Sequence, residues 1–571
     1  MVVHKTFTHP FHFPFPYCTM IPTLSFSFHS SLIALLTATL IKCTSAAIGP
    51  SATLNIGNAV LAPDGFSRTA VVAEGMHPGP LITGKRGDRF DINVVNNLSN
   101  DTMLRGTSIH WHGLLQHHTA WADGVAGVTQ CPIAPGNEFL YSFQTWEKAG
   151  TYWYHSHFGT QYCDGLRGAL VIYDPYDPYR YLYDVDDEST VITLADWYHL
   201  PSASLPLIPQ SNSTLINGKG RYVGGPKVDL AVINVEKGKK YRFRLVSLSC
   251  DPNYTFSIDG HDLTIIETDG ELTRPLTVGS IQIFAAQRYS FILHANQEVG
   301  NYWVRALPNV IANNTILAGG FDGGVNSAIL RYASAPIAEP TYTQAPQTKL
   351  GLLNEGALQS FLSLPCPGQP VPGGADININ LDLGFNTDDG RFTINGKTFR
   401  EPSIPVLLQI LSGAKAPWEL LPSGDIIKLE RGKVVEVTIP AGVLGGPHPF
   451  HLHGHTFSVV RSAGESTYQF DYPVRRDVVS IGGQGDNVTI RFDTINPGPW
   501  ILHCHIDFHL HEGLAIVFAE APEDVSTDVP IPESWNDLCP NYLSLPDNAT
   551  SVRLVSRHKA HSKRRQKPRG W

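Results

Sequence analysis

Gly150-Thr-Tyr-Trp-Tyr-His155 is the stretch that decides the fold, because it recurs as Gly300-Asn-Tyr-Trp-Val-Arg305 and as Gly498-Pro-Trp-Ile-Leu-His503. Each copy is preceded by a shorter echo that opens on a glycine: Gly87, Gly238 and Gly432. The glycine of each echo stands 63, 62 and 66 residues before the glycine of its partner stretch. Three near-equal separations indicate three copies of one structural unit.

The segments that follow these glycines alternate apolar and polar residues with period two, as half-buried β-strands do. Tyr241-Arg-Phe-Arg-Leu-Val and Val435-Glu-Val-Thr-Ile are examples. The chain has 571 residues, too many for one hydrophobic core, and its 51 glycines and 42 prolines favour turns over long helices. We therefore predict an all-β protein of three sequential β-sandwich domains.

The predicted organisation begins with a leader over residues 1–47, in which an apolar run (32–41) precedes Thr44-Ser45-Ala46-Ala47. Such a run suits a secretory signal and is too short to span a bilayer, and Met20 is an alternative start. Domains are predicted at 48–176, 177–345 and 346–550, followed by a basic tail at 551–571. We expect a secreted, extracellular protein without a membrane anchor.

The net charge of −9 hides an uneven distribution, since the leader carries +2 and the tail carries +8. The body between them has a charge of about −19, which excludes a nucleic-acid partner. The tail is interpreted as a disordered extension or as a surface-binding arm. A monomer is expected. Seven glycosylation sequons fit an exported glycoprotein: Asn97, Asn100, Asn212, Asn253, Asn313, Asn487 and Asn548.

Ten of the 24 histidines fall into four tight clusters, and eight of these form His-x-His pairs. The pairs are His110/His112, His155/His157, His451/His453 and His503/His505. Residues i and i+2 of a strand point to one face, so each pair directs two imidazoles toward one region. The pairs come from the first and third copies, whereas the middle copy has Arg305 at the histidine position. A metal cluster held by the outer domains is predicted, with the middle domain as spacer.

Cys504 lies between His503 and His505, so its sulfur points away from that cluster. With His448 and His509 it completes a His₂Cys set, the arrangement of blue-copper electron-transfer sites. Zinc is the alternative for any single pair, but zinc sites rarely use more than four ligands and have no redox chemistry. Copper is therefore favoured, with the backbone around Cys504 connecting two metal sites.

At these residues the sequence resembles the multicopper oxidases, and among them the fungal laccases of basidiomycete type, over nearly all of residues 48–545. The resemblance includes His110-Trp-His-Gly-Leu-Leu-Gln116, Gln161-Tyr-Cys-Asp-Gly-Leu-Arg-Gly168 and His448-Pro-Phe-His-Leu-His-Gly-His455. It implies three cupredoxin-like Greek-key domains and four copper ions: one type 1, one type 2 and two type 3.

The resemblance also implies a ligand set for each copper ion. The type 1 copper takes His448, Cys504 and His509, and the type 2 copper takes His110 and His451. The two type 3 ions take the remaining histidines in two groups: His112, His155 and His505; His157, His453 and His503. Leu514 stands at the type 1 axial position and is a non-ligand, which raises the reduction potential and favours phenol oxidation.

Three acids and one ligand are implied to be catalytic. His509 is the entry point for electrons, and Asp251 helps to bind a phenol and accept its proton. Asp251 also precedes Pro252, so a turn-forming role is the structural alternative. Asp123 relays protons toward reduced oxygen, and Asp507 assists.

Similar laccases pair Cys131 with Cys539 and Cys163 with Cys250. Cys366 then has no partner, which is unusual in a secreted protein. Another departure from relatives is His509-Leu-His511-Glu512-Gly513, which adds an imidazole next to the type 1 ligands.

The function expected from the resemblance is one-electron oxidation of phenols and aromatic amines, coupled to four-electron reduction of dioxygen to water. Lignin degradation, pigment formation and phenol detoxification all use this chemistry. The alternative enzyme is an Fe(II)-oxidising multicopper oxidase, which holds its ion with several acids. The remote alternative is a non-catalytic copper protein, for which eight cluster histidines are unnecessary.

Overall fold

The computed structural model describes residues 47–545, apart from residues 147, 207, 313–314, 319, 343–349, 363 and 422. The predicted tail at 551–571 lies outside the described residues, as does the predicted leader apart from its last residue, Ala47. None of the helices in the described part of the chain has the length and apolar character needed to cross a bilayer.

The first eight strands form two four-stranded sheets, ordered β2-β1-β4-β6 and β3-β8-β7-β5. Their bounds are β1 Ser51–Leu61, β2 Arg68–Ala73, β3 Ile82–Lys85, β4 Arg89–Asn96, β5 Ile109–His112, β6 Glu138–Gln144, β7 Gly150–Ser156 and β8 Arg167–Tyr173. Apolar side chains of both sheets share one buried core. Two sheets around one core make a β-sandwich.

The next thirteen strands form a seven-stranded sheet (β11-β10-β9-β13-β18-β15-β16) and a sheet ordered β12-β21-β19-β14-β17, with β20 paired to β19. Their bounds are β9 Val191–Trp197, β10 Ser213–Ile216, β11 Lys219–Tyr222, β12 Val232–Val235, β13 Lys240–Ser247, β14 Asn253–Ile258, β15 Leu263–Thr268, β16 Glu271–Val278, β17 Ile281–Ile283, β18 Arg288–His294, β19 Asn301–Ala312, β20 Thr315–Ala318 and β21 Ser327–Tyr332.

The last twelve strands form two five-stranded sheets (β22-β26-β31-β28-β29 and β25-β33-β32-β27-β30) and a β23-β24 hairpin. Their bounds are β22 Ile377–Asn380, β23 Leu383–Asn386, β24 Arg391–Ile394, β25 Ile426–Leu429, β26 Val434–Pro440, β27 Pro449–Leu452, β28 Phe457–Arg461, β29 Val474–Arg476, β30 Val478–Ser480, β31 Asn487–Asp493, β32 Gly498–Cys504 and β33 Ala515–Glu520. The α-helices are short: α1 Val406–Leu411, α2 Pro417–Leu420, α3 Asp507–His511, α4 Val525–Asp528, α5 Glu533–Asn536 and α6 Leu538–Leu543.

The repeated stretches occupy equivalent positions in the three sandwiches. The glycine echoes precede or open β4, β13 and β26, and the longer stretches become β7, β19 and β32. Strands β7 and β32 are buried along their whole length, and each lies between two neighbouring strands of its sheet. The prediction of an all-β protein of three sandwich domains is confirmed. The exact domain boundaries stay predictions.

Two disulfides join distant segments of the chain. Cys131 is bonded to Cys539 and Cys163 to Cys250. Cys366 and Cys504 are the free cysteines among the described residues, and both are buried. The Cys366 sulfur lies 3.3 Å from Nη1 of Arg491.

Gly124 is expected to contribute much more to stability than Gly136, a second glycine of the same domain with a similar φ angle. Gly124 has a φ of +83°, and a Cβ there would lie 1.8 Å from the carbonyl oxygen of Ile109 in β5. Gly136 has a φ of +77° but nothing within 4 Å of its Cβ position. Gly136→Ala should cost about 1 kcal/mol of backbone strain. Gly124→Ala should cost about 3 kcal/mol more, because the backbone must also move. Urea unfolding of both variants measures the difference, and equal midpoints would contradict it.

Candidate metal centre

Strand register brings the predicted histidines together in pairs. In the first domain, β5 runs antiparallel to β7 with His110 opposite His155. In the third domain, β27 runs antiparallel to β32 with His451 opposite His503. The partner of each pair lies two residues further along its chain, on the same face of the sheet. Two domains therefore present eight imidazoles to one buried region.

The eight rings fall into three groups, and within each group the ligand atoms lie within 4.8 Å of one another. These groups are His110, His112 and His451; His112, His155 and His505; and His157, His453 and His503. The Nε2 atoms of His453 and His503 are 3.1 Å apart. The arrangement joins all four His-x-His pairs in one centre, as the sequence predicts. Three pairs divide their members between two groups, and His112 of the fourth pair belongs to two groups.

Buried ring nitrogens without a hydrogen-bond partner show that the centre fits metal ions. These atoms are Nε2 of His110, His155, His157, His451 and His505, and Nδ1 of His112. The opposite nitrogens have partners: Nδ1 of His110 lies 2.7 Å from the Asp123 carbonyl oxygen, and Nδ1 of His155 lies 2.9 Å from that of Ser156. A ring that donates outward keeps its inward lone pair free, which is the orientation of metal-ligating histidines.

Burial also keeps these rings in the form that binds metals. It lowers the pKa of His503 to about 3, and it holds the pKa of His155, His157 and His453 well below the usual value. Neighbouring imidazoles add to the effect for the latter three. A neutral imidazole has a lone pair to donate, so the centre is preorganised for cations.

A second group lies on the other side of β32. The Sγ atom of Cys504 is 3.4 Å from Nδ1 of His448 and 3.7 Å from Nδ1 of His509, and the two Nδ1 atoms are 3.1 Å apart. Three donor atoms of His₂Cys type thus face one point. Burial lowers the pKa of His448 to about 4 and raises that of the Cys504 thiol, so a bound cation is needed to hold the thiolate.

The pleat of β32 connects the two groups. His503 and His505 belong to the eight-histidine centre, while the intervening Cys504 belongs to the His₂Cys group. Cys504 is therefore linked by one peptide bond to His503 and by another to His505, so the backbone connects the two groups directly. Leu514, the predicted axial non-ligand, is fully buried, and its carbonyl oxygen accepts a hydrogen bond from the Cys504 N–H.

The His₂Cys group borders a cavity of about 430 Å³. Its lining includes one carboxylate and mostly apolar groups: Asp251, Phe385, Phe392, Leu444, Phe508 and His509. The Phe392 ring centroid is 4.7 Å from that of His509. Burial, and then the charge of Asp196, raises the pKa of Asp251 to about 7. The cavity thus combines a metal-ligating ring with an acid that changes charge near neutral pH.

The other two predicted acids lie beside the eight-histidine centre. Asp123 Oδ2 is 2.8 Å from Nδ1 of His453, and Oδ1 is 3.2 Å from Nδ1 of His110. Asp507 is buried, and its side chain lies 3.3 Å from the sulfur of Cys163. Its backbone N–H donates to the Cys250 carbonyl oxygen, next to Asp251.

Sequence reasoning missed Asp477, which lies on the same centre. Its Oδ1 atom is 3.1 Å from Nε2 of His112, and its carbonyl oxygen accepts a hydrogen bond of 2.8 Å from Nδ1 of His451. Asp477 stands alone between two short strands, in no repeat and at no motif spacing. Only the folded chain brings it to the histidines.

The remaining histidine of the cluster motifs serves another purpose. His455 is not in any of the metal-ligating groups found among the described residues. It lies 2.8 Å from Glu520 in a buried ion pair, and its Nδ1 faces the His453 carbonyl oxygen. His455 thus lies behind the ligand His453 without being a ligand itself.

Three β-sandwich domains, one His₂Cys group and one eight-histidine centre define a copper-dependent oxidoreductase of cupredoxin type. Comparison with known proteins agrees. Models of the multicopper oxidase family match residues 55–177, 188–335 and 399–524. Laccase-2 of Trametes villosa is 58% identical over 516 residues, which cover 90% of this chain and 98% of that protein.

Solved structures give the same result. The laccase of Botrytis aclada is 32% identical with a TM-score of 0.73, covering 86% of this chain and 92% of that one. Fet3p, a multicopper oxidase that functions in iron import, is 26% identical with a TM-score of 0.74, covering 86% and 94%. This chain belongs to the multicopper oxidase family. The predicted cofactor set of four copper ions is confirmed with it.

Cys504→Ser should abolish the blue colour and oxidase turnover together, because a serine hydroxyl cannot replace the thiolate that completes the His₂Cys group. Cys366→Ser is the matched control, since Cys366 is the other free buried cysteine of the described chain and contacts no metal-ligating residue. The control should keep colour and turnover. Visible absorption and oxygen uptake measure both, and blue colour that survived in Cys504→Ser would refute the site.

Proposed function

We propose that this protein is a laccase, which oxidises phenols and aromatic amines one electron at a time and reduces dioxygen to water. One observation carries the proposal. A His₂Cys group bordering an apolar cavity is joined through Cys504 to a separate eight-histidine centre. One site thus takes electrons from an organic donor, and the other accumulates them for oxygen.

The ligand set that we propose follows the groups described above. His448, Cys504 and His509 hold the type 1 copper, and His110 and His451 hold the type 2 copper. The remaining histidines hold the type 3 pair: His112, His155 and His505; His157, His453 and His503. When bound, the copper ions supply the one-electron steps and the binding of oxygen. Leu514 offers no axial donor, which supports a high type 1 potential.

The cavity supplies what a phenol needs. Its aromatic and aliphatic lining favours an aromatic ring, and His509 in its wall gives that ring a route to the type 1 site. The carboxylate of Asp251, in the same wall, accepts the phenolic proton when Asp251 is ionised. Removal of the proton lowers the energy needed to withdraw an electron from the phenol. Because Asp251 and His509 both border the cavity, one pocket receives the proton and the electron.

Asp123 and Asp507 are the proposed acids on the oxygen side. Asp123 holds the outward nitrogens of His110 and His453, and Asp507 is buried beside Cys163. The centre must receive four protons for each oxygen molecule. Asp123 contacts two of its ligands directly, and Asp507 lines the same small cavity as four of them. Their placement supports a role in delivering the protons.

We further propose that the protein is a secreted, glycosylated monomer that acts on phenols in lignin, pigments or toxic compounds. Two disulfides support an oxidising compartment. Of the described sequons, Asn97 is exposed and can accept a glycan, whereas Asn253 is buried and hydrogen-bonded to Gln282 and Asn309.

A substrate comparison tests the function. A methoxyphenol should be oxidised with a kcat/KM at least tenfold above that for Fe(II), because the cavity has one acid where an iron site needs several. Four phenol molecules should be consumed per dioxygen, with no hydrogen peroxide released. A higher kcat/KM for Fe(II) would assign the alternative metallo-oxidase function, and absence of oxygen uptake would assign a non-catalytic copper protein.

Asp251→Asn should lower kcat/KM for a phenol in a pH-dependent way. The carboxyl has a raised pKa of about 7, so it is an ionised base above that pH and a protonated acid below it. A positioned base contributes about 100-fold. The variant should therefore fall about 100-fold behind the unmodified enzyme at pH 8 and match it near pH 5.

Two controls accompany this measurement. Hexacyanoferrate(II) has no proton to lose, so its oxidation should not distinguish the variant from the unmodified enzyme at any pH. Asp251→Glu restores a carboxyl and should recover part of the phenol rate at pH 8. A ratio of variant to unmodified enzyme that stayed constant across pH would show that Asp251 serves the turn instead.

A further inference from the structure

We infer that Arg288 of the middle domain is a positioning residue for the oxygen-reducing centre, acting through Asp477 on His112 and His451. The inference rests on the proposed ligand set. It gives the middle domain a part in the chemistry, although that domain contributes no copper ligand.

Asp477 is the residue through which the effect passes. It contacts the outward nitrogens of two ligands from different domains, with Oδ1 3.1 Å from Nε2 of His112 and the carbonyl oxygen 2.8 Å from Nδ1 of His451. His112 belongs to the first domain and His451 to the third. A shift of Asp477 would therefore move ligands on both sides of the centre.

Arg288 fixes Asp477 in place. Its Nη1 and Nη2 atoms donate to Oδ1 and Oδ2 of Asp477, both at 2.7 Å, and both side chains are almost fully buried. The guanidinium is itself immobile, because Nε donates to the Thr151 carbonyl oxygen in β7 and Nη1 to that of Ala286. A bidentate pair with these extra bonds has one orientation only.

His112 shows what that orientation achieves. Its unpartnered nitrogen is Nδ1, whereas the other unpartnered ring nitrogens of the centre are all Nε2. The Asp477 carboxylate lies on the Nε2 side of His112 and can only accept a hydrogen bond there, so the ring proton stays on Nε2. The lone pair of Nδ1 is then free for a metal. The Arg288–Asp477 pair thus selects the nitrogen that His112 presents.

Arg305 offers a matched control within the same domain. It forms an equally buried bidentate pair with Asp259, with both N–O distances 2.8 Å. This pair has no contact with the copper-binding histidines among the described residues. Arg305→Lys therefore reproduces the general cost of weakening a buried bidentate pair, without touching the centre.

The experiment compares Arg288→Lys with Arg305→Lys in the copper-loaded full chain. Loss of a partner behind a metal ligand lowers metal affinity about 10- to 100-fold. Arg288→Lys should therefore lose the copper of the eight-histidine centre at a 10- to 100-fold lower chelator concentration than the unmodified protein. It should also alter the electron paramagnetic resonance signal of the type 2 copper. Its type 1 absorption should stay unchanged. Arg305→Lys should keep all three properties.

The outcomes separate this inference from the proposed function. Equal copper retention and equal type 2 spectra in the two variants would overturn the role of Arg288. Fewer than four coppers in the unmodified protein would instead overturn the ligand set. If Arg288→Lys does not fold, Asp477→Asn keeps the side-chain shape and removes the carboxylate that faces His112. The same selective copper loss is then expected, and full retention would again overturn the inference.

Discussion

Eight imidazoles buried in one centre are the constraint on which the rest of this structure depends. Each ring must direct one nitrogen toward the centre and give the other a hydrogen-bond partner in the protein. A buried polar atom without a partner lowers the stability of the fold by about 1–3 kcal/mol. The outward nitrogens find carbonyl oxygens and carboxylates, while six inward nitrogens have no protein partner. Metal binding removes that cost, so copper loading and folding stability are coupled.

The β-sandwich meets this constraint through the register of its antiparallel strands and the alternation of side chains within each strand. Antiparallel neighbours such as β5 and β7 place His110 and His155 directly opposite each other, and the alternation within each strand supplies their partners. The same alternation sends the Cys504 sulfur to the opposite face of β32. The His₂Cys group at the cavity and the eight-histidine centre are thereby kept apart and remain joined by one residue.

The sequence predicts these features because they follow from local periodicity. The three repeats give the sandwich domains, and the His-x-His spacing gives the members of the centre without knowledge of the tertiary structure. Asp123, within Trp121-Ala-Asp-Gly124, is implied by the resemblance to the multicopper oxidases and not by periodicity. The roles of Asp477 and Arg288 could not be predicted, because they arise from a contact between two domains. The two residues are 189 positions apart in the chain. The cavity beside Asp251 likewise depends on segments from two domains.

The middle domain illustrates how a repeat that binds no metal remains indispensable. At the position of His155 and His503 it has Arg305, which pairs with Asp259 inside its own sandwich. At its boundary, however, Arg288 reaches Asp477, and Asp269 accepts from Arg476 at 2.9 Å. Removing one member of such a buried pair costs about 3–5 kcal/mol, because the other charge is left without compensation. Because these pairs cross from the middle domain to the strands around the centre, the middle domain cannot shift without moving the residues that hold the ligands. The middle domain therefore contributes to the centre by fixing the geometry in which the other two domains hold the ligands, and not by holding ligands itself.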